Sequence, residues 1–136
     1  LFDRAKLDRM KLGYVIIYVA DVRETVQFYE RAFALSCRFA TDSGEYAELE
    51  TGATALAFAL ETFTPSSGSF VLNRPSEKAA GAEIGLVTAD VPEAFERAIG
   101  AGAVSVLAPT TKPWGQTVAY VRDNNGFLVE LCSPMA

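Results

Sequence analysis

The chain repeats itself. Val19-Ala20-Asp21-Val22-Arg23-Glu24 returns as Thr88-Ala89-Asp90-Val91-Pro92-Glu93, with Asp21 and Asp90 standing 69 residues apart. Each copy follows an apolar run and precedes a helical pattern. Two copies of one supersecondary unit restrict the fold to a pair of related modules. Such modules can set two half-sites across a cleft, and clefts of this kind take small molecules.

The first module reads as strand, helix and three strands. Leu12–Val19 is a β-branched apolar run, the mark of a buried strand. Asp21 is placed to cap a helix, with Glu24 at the third helical position. Val22, Val26, Tyr29 and Phe33 then form the stripe of a helix packed on a sheet. Ser36–Ala40, Tyr46–Thr51 and Thr54–Glu61 are the three further strands, parted by Asp42-Ser43-Gly44 and Thr51-Gly52. The second module opens at Glu83–Val87. Asp90 caps its helix, and Pro92 sits in the first turn, where a missing N–H costs little. Val91, Phe95, Ala98 and Ile99 make its buried stripe, and Gly100 and Gly102 end it. Val104–Leu107, Thr117–Val121 and Phe127–Cys132 are its strands, with Asp123-Asn124-Asn125-Gly126 a hairpin turn. Module one therefore spans 11–61 and module two 83–134, joined by a connector at 62–82 with a short apolar island at Phe70–Leu72. A connector this long is a candidate border of the cleft. Residues 1–10 are read as an N-terminal extension to a single domain over 11–136, since Met10 is a possible start and Leu1 is not.

Composition narrows the partners. Twelve basic and seventeen acidic residues leave a net charge of −5, against nucleic acid or an anionic membrane as partner. Cys37 and Cys132 are too few for a disulfide framework, and with no leader visible the expected location is cytoplasmic, both thiols reduced. Histidine is absent, which removes Ser-His-Asp and Cys-His nucleophile systems and every imidazole metal ligand. Carboxylates, tyrosine, lysine, cysteine, backbone and shape remain.

The strand-Val-x-Asp-helix units, Pro113-Trp114-Gly115-Gln116, and the run from Tyr120-Val121-Arg122 through Asp123-Asn124-Asn125-Gly126 to Phe127-Leu128-Val129-Glu130-Leu131 resemble the vicinal oxygen chelate superfamily. That superfamily includes glyoxalase I, bleomycin-resistance proteins, extradiol dioxygenases and fosfomycin-resistance enzymes. The resemblance runs from Lys11 to Pro134. It implies an α+β fold in which two βαβββ modules form a curled mixed sheet around a cleft, commonly completed in a homodimer. Metal-dependent members take ligands from the first and last strand of each module. Matched residue by residue, those positions fall here on Tyr14, Leu56, Glu83 and Glu130, where many relatives offer His and Glu. This puts the usual metal centre in doubt, and glyoxalase-type or dioxygenase-type chemistry with it.

Strand alternation sets Glu83, Gly85 and Val87, and also Leu128, Glu130 and Cys132, on the cleft side. Glu83 and Glu130 are the catalytic candidates, with three readings open. They bind a cationic organic ligand or share a proton, one acting as base; they are structural; or they hold a hard divalent metal such as Mg, Mn or Ca. Tyr14, Tyr18, Leu56, Phe58, Trp114 and Tyr120 are the ligand-contact candidates. For Tyr14 and Tyr18 the competing reading is aromatic filling of a strand face, for Phe58 and Tyr120 it is core packing, and Trp114 stacks on a ligand or covers the cleft mouth. Two functions follow: a binding or sequestration protein for a small organic molecule, and a lyase or isomerase using the carboxylates.

Overall fold

The computed structural model describes residues 9–135; most of the extension proposed at residues 1–10 lies outside them. Module one runs β1 (Tyr14–Val19), α1 (Val22–Phe33), β2 (Cys37–Ala40), β3 (Tyr46–Leu49) and β4 (Ala55–Leu60). Module two repeats it as β5 (Glu83–Val87), α2 (Val91–Gly100), β6 (Val104–Thr111), β7 (Thr117–Arg122) and β8 (Leu128–Cys132). The sheet orders are β1-β4-β3-β2 and β5-β8-β7-β6, so the repeat extends to topology. In each sheet the first strand lies parallel to the last and the other pairs are antiparallel. The expected α+β plan of two βαβββ modules is present, each module contributing one mixed four-stranded sheet, and the sheets are not closed into a barrel.

The repeated capping motif works alike in both copies. The Asp21 carboxylate accepts from the Glu24 N–H at 3.0 Å, and Asp90 from the Glu93 N–H at 3.1 Å. Each satisfies a helix-terminal donor that would otherwise have no partner. Strand β6 runs past its predicted end at Leu107 to Thr111 through Pro109. Proline is tolerated there because β6 is an edge strand, and its register to β7 shifts twice.

One core serves both modules. It joins Ile17, Val19, Tyr29 and Phe58 of the first to Phe95, Val121, Val129 and Leu131 of the second. A buried polar lock reinforces the junction. The Tyr29 hydroxyl donates to Asp123 at 2.6 Å, and the Asn125 amide donates to Thr25 Oγ1 at 3.0 Å. Asp123 is only 2% exposed and also accepts the backbone N–H groups of Asn125 and Phe127. Burial pushes its carboxyl above the ordinary range, and these bonds pull it back down.

The connector has no regular element, yet it is bolted down. Arg74 and Glu61 form a two-bond ion pair at 2.6 and 2.8 Å. Arg122 donates to the carbonyls of Arg74, Pro75 and Glu77. Arg74 is thereby committed to Glu61. Tyr29→Phe removes the hydroxyl donor from buried Asp123 and is expected to cost about 1–3 kcal/mol, read as a lower denaturant midpoint at unchanged slope.

Candidate functional site

Each sheet packs one face on the helices and turns the other away. In module two the pairings Tyr120–Glu130 and Gly85–Glu130 set Tyr120, Glu130 and Gly85 in one row across β7, β8 and β5. Glu83 stands two residues from Gly85, on the same face by strand alternation. The Tyr120 hydroxyl donates to Glu130 Oε2 at 2.6 Å, a short charge-assisted bond. That bond, then burial and the nearby negative charge, push the phenol up to about 12. Burial and, after it, the Glu130 charge raise the Glu83 carboxyl above its usual range. Burial, followed by Glu130, also raises the thiol of Cys132. A raised thiol is a poor nucleophile, in keeping with an inert cysteine.

The matching face of module one carries Tyr14, Ile16 and Tyr18 on β1, Ala55, Ala57 and Ala59 on β4, and Tyr46 and Glu48 on β3. It has its own phenol–carboxylate pair, with the Tyr46 hydroxyl donating to Glu48 Oε2 at 2.7 Å. Here, however, the carboxylate is neutralised, because Arg38 reaches Glu48 Oε1 at 3.1 Å. Burial and the Glu48 bond hold the Tyr46 phenol far above the ordinary value. No such cation stands against Glu83 or Glu130 among the described residues. The second face is therefore an uncompensated acidic site, and the first a compensated one.

Two of the predicted contact residues turn the other way. Leu56 and Phe58 are buried on the helix side at 6% and 0% exposure, and the Phe58 ring lies 4.8 Å from that of Tyr29. Leu56 is displaced by one residue. Strand β8 begins two residues after Gly126, whereas β4 begins three after Gly52, so equal spacing from the glycine lands on opposite faces. The counterpart of Glu130 is Ala57, which pairs with Ile16 as Glu130 pairs with Gly85. Phe58 follows the same alternation onto α1.

Tyr14 is 57% exposed on the outward face. Tyr18 shares that face but is already engaged. Phe70 of the connector stacks on it at 4.3 Å, and Ser66 and Thr64 donate to its hydroxyl at 2.8 and 3.2 Å. Those bonds, the one from Ser66 first, lower its phenol, so Tyr18 anchors the connector. Trp114 stands 62% exposed in the β6–β7 hairpin, its indole N–H donating to Gln116 Oε1 at 3.0 Å. Sequence reasoning missed Arg38, Tyr46 and Glu48. The alternation of Tyr46 and Glu48 within a predicted strand was the available signal, but β3 and β7 are offset by more than the repeat, so matching at 69 residues passes over them.

A metal of the kind vicinal oxygen chelate proteins hold would have to be bound by this donor set. Catalytic sites take about three protein ligands. Among the described residues no three His, Cys, Asp or Glu side chains gather to hold an ion. Glu130 Oε2 is occupied by Tyr120, and the module-one positions offer Tyr14 and Ala57. These residues do not fit such a centre.

The sequence model of the Glyoxalase/Bleomycin resistance protein/Dioxygenase superfamily matches residues 11–131. The chain belongs to that superfamily. Solved structures with the same glyoxalase-like fold include a glyoxalase-related enzyme from Fulvimarina pelagi, with 18% identity, 93% of this chain and 89% of that one covered, and a TM-score of 0.78. A glyoxalase/bleomycin resistance protein/dioxygenase family enzyme from Burkholderia phytofirmans PsJN has 20% identity, coverage of 91% and 98%, and a TM-score of 0.77. TioX from Micromonospora sp. ML1 has 22% identity, coverage of 90% and 95%, and a TM-score of 0.68. At these identities the likeness is one of glyoxalase-like fold. No curated protein matches the chain significantly. No helix among the described residues is long and apolar enough to cross a membrane.

Proposed function

We propose that this glyoxalase-superfamily chain binds a small organic cation on the face carrying Glu83 and Glu130, and that two copies complete the cleft. The observation that supports it most is the pair of carboxylates with no cation set against them, beside a tyrosine that holds one of them in place. A positive ligand supplies the missing charge, and an aromatic body suits exposed Tyr14. Support for the homodimer comes from the sheet edges. Strands β1 and β5 both end their sheets, and Tyr14, Ile16 and Val87 on them are large, apolar and exposed. Unpaired apolar edges are a liability that pairing with a second copy removes. The closed two-fold arrangement brings module one of one protomer against module two of the other.

The test is calorimetric titration with benzamidine, phenethylamine, benzyltrimethylammonium and, as controls, benzoate and benzyl alcohol, on protein whose mass is measured by light scattering. Cations are expected to bind and benzoate not. Glu130→Gln is expected to weaken cation binding about tenfold or more, the scale of one charged hydrogen bond. Glu83 has a raised carboxyl, so it loses its charge as pH falls through that raised value. Cation affinity should therefore climb as pH rises through the carboxylate range and flatten once Glu83 is ionised. Equal affinity for benzoate and benzamidine, or a pH-independent constant, would sink the reading.

A second reading, a lyase or isomerase, is favoured by the raised Glu83 carboxyl, which is a better proton acceptor than an ordinary one. Turnover that disappears in Glu83→Gln while binding persists would put it first. Adding Mg, Mn or Ca to the same titrations tests whether a hard ion assists.

A further inference from the structure

We propose that Asn125 is a deamidation site: the closed junction between the modules restrains the reaction, and the reaction, once it has occurred, opens the junction.

The dipeptide Asn125-Gly126 sets a side-chain amide next to an uncrowded backbone nitrogen. In deamidation the Gly126 nitrogen adds to the side-chain carbonyl carbon of Asn125. A cyclic imide forms as the bond from that carbon to the amide nitrogen breaks, and ammonia leaves with the Gly126 proton. Water then opens the ring, at one carbonyl to give aspartate and at the other to give isoaspartate. Water is the only co-reactant. A side chain on the following residue would crowd the attacking nitrogen, and glycine has none. The fold cannot remove the hazard by exchanging this glycine. Gly126 has φ +83, and a Cβ on it falls 2.6 Å from the Arg74 carbonyl oxygen. Both reacting groups are restrained instead. The Gly126 N–H donates to the Asp123 carbonyl at 3.0 Å, which keeps the proton on the nitrogen. Asn125 is 6% exposed, and its amide donates to Thr25 Oγ1 at 3.0 Å and to Asn124 Oδ1 at 3.3 Å. Attack therefore waits on local opening of the turn.

The direction of the Thr25 hydrogen bonds decides what the product does. The Thr25 hydroxyl gives its proton to the Asp21 carbonyl at 2.8 Å. Its oxygen can then only accept, and Asn125 supplies the donor. A carboxylate at 125 offers acceptor oxygens alone, so acceptor would face acceptor. It also sets a second buried negative charge two residues from Asp123, itself 2% exposed. The bond from the β7–β8 turn to helix α1 is thereby lost.

Peptide mapping by mass spectrometry follows aspartate and isoaspartate at position 125 during incubation in mildly alkaline buffer. It compares folded wild type, wild type unfolded in urea, and folded Thr25→Val. Folded wild type is expected to react about tenfold or more slowly than the unfolded chain. Thr25→Val keeps the side-chain shape but removes the acceptor, and is expected to react about threefold or more faster than folded wild type. If Thr25→Val does not fold, Tyr29→Phe takes its place, since it loosens Asp123 in the same lock. Melting curves of Asn125→Asp and Asn124→Asp then set the same charge at two points of one turn. Asn124 is only half-buried, so Asn125→Asp is expected to melt about 4 °C or more below Asn124→Asp. No reaction at 125 in urea overturns the site. Equal rates in folded and unfolded wild type, or an unchanged rate in the loosened variant, overturn the restraint. Equal melting of the two aspartate variants overturns the opening of the junction.

Discussion

Phe58→Ala is expected to destabilise the protein by about 3–5 kcal/mol, the range for deleting a fully buried aromatic ring. Phe58 is 0% exposed in β4, and its ring packs on Tyr29, itself 0% exposed. Tyr29 in turn touches Phe33 at 5.0 Å and Phe28 at 6.0 Å. Removing Phe58 takes away the β4 partner of Tyr29, the ring shared by the aromatic cluster on helix α1. The cavity closes only in part, because the surrounding strands are held in register. A loss of that size is a large share of the roughly 5–15 kcal/mol that holds a domain together. Urea unfolding should show a lower midpoint with an unchanged slope. A change below about 1 kcal/mol would mean that Phe58 lines an open cleft after all.

Gly126→Ala carries the second large effect, about 2–4 kcal/mol of destabilisation. Two costs combine. Gly126 has φ +83, a left-handed conformation that side chains adopt poorly. A Cβ there also falls 2.6 Å from the Arg74 carbonyl oxygen and closer still to the Arg122 guanidinium. Arg122 can swing aside, but doing so frees the carbonyls of Arg74, Pro75 and Glu77 that it binds. The backbone of Arg74 cannot move without lifting the connector. Gly52→Ala isolates the first cost, since Gly52 has φ +93 but nothing within 4 Å of its Cβ. Gly126→Ala should therefore be the more damaging of the two, and limited proteolysis should cut the connector faster in it alone. Equal losses in the two variants would remove the close approach from the explanation.

Much of the fold was legible because it is local. The Asp21 and Asp90 caps, the helical stripes and the turn at Asp123–Gly126 each depend on residues a few positions apart. Half of the site was legible for a similar reason. Strand alternation within β5 and β8 is a two-residue rule, and it placed Glu83 and Glu130 on one face with no knowledge of their neighbours. The rule failed at Leu56 and Phe58 because it needs a starting phase. That phase comes from the turn before the strand, which is one residue longer before β4 than before β8. Tyr18 obeyed alternation too, but no two-residue rule shows that Phe70, Ser66 and Thr64 reach it from the connector.

Sequence by itself determined the two-module plan, the strand and helix order, the capping, and the absence of imidazole chemistry. These follow from short-range periodicity and from residue inventory, which need no fold to read. Tertiary structure alone decided which carboxylates are neutralised. Arg38 and Glu48 meet across β2 and β3, while Glu83 and Glu130 share one face of β5 and β8, near enough for the Glu130 charge to raise the Glu83 carboxyl, with no described cation paired to either. The net charge of the chain is the same however its residues are paired. Electrostatic character belongs to distances, and distances between strands are set only when the sheets form.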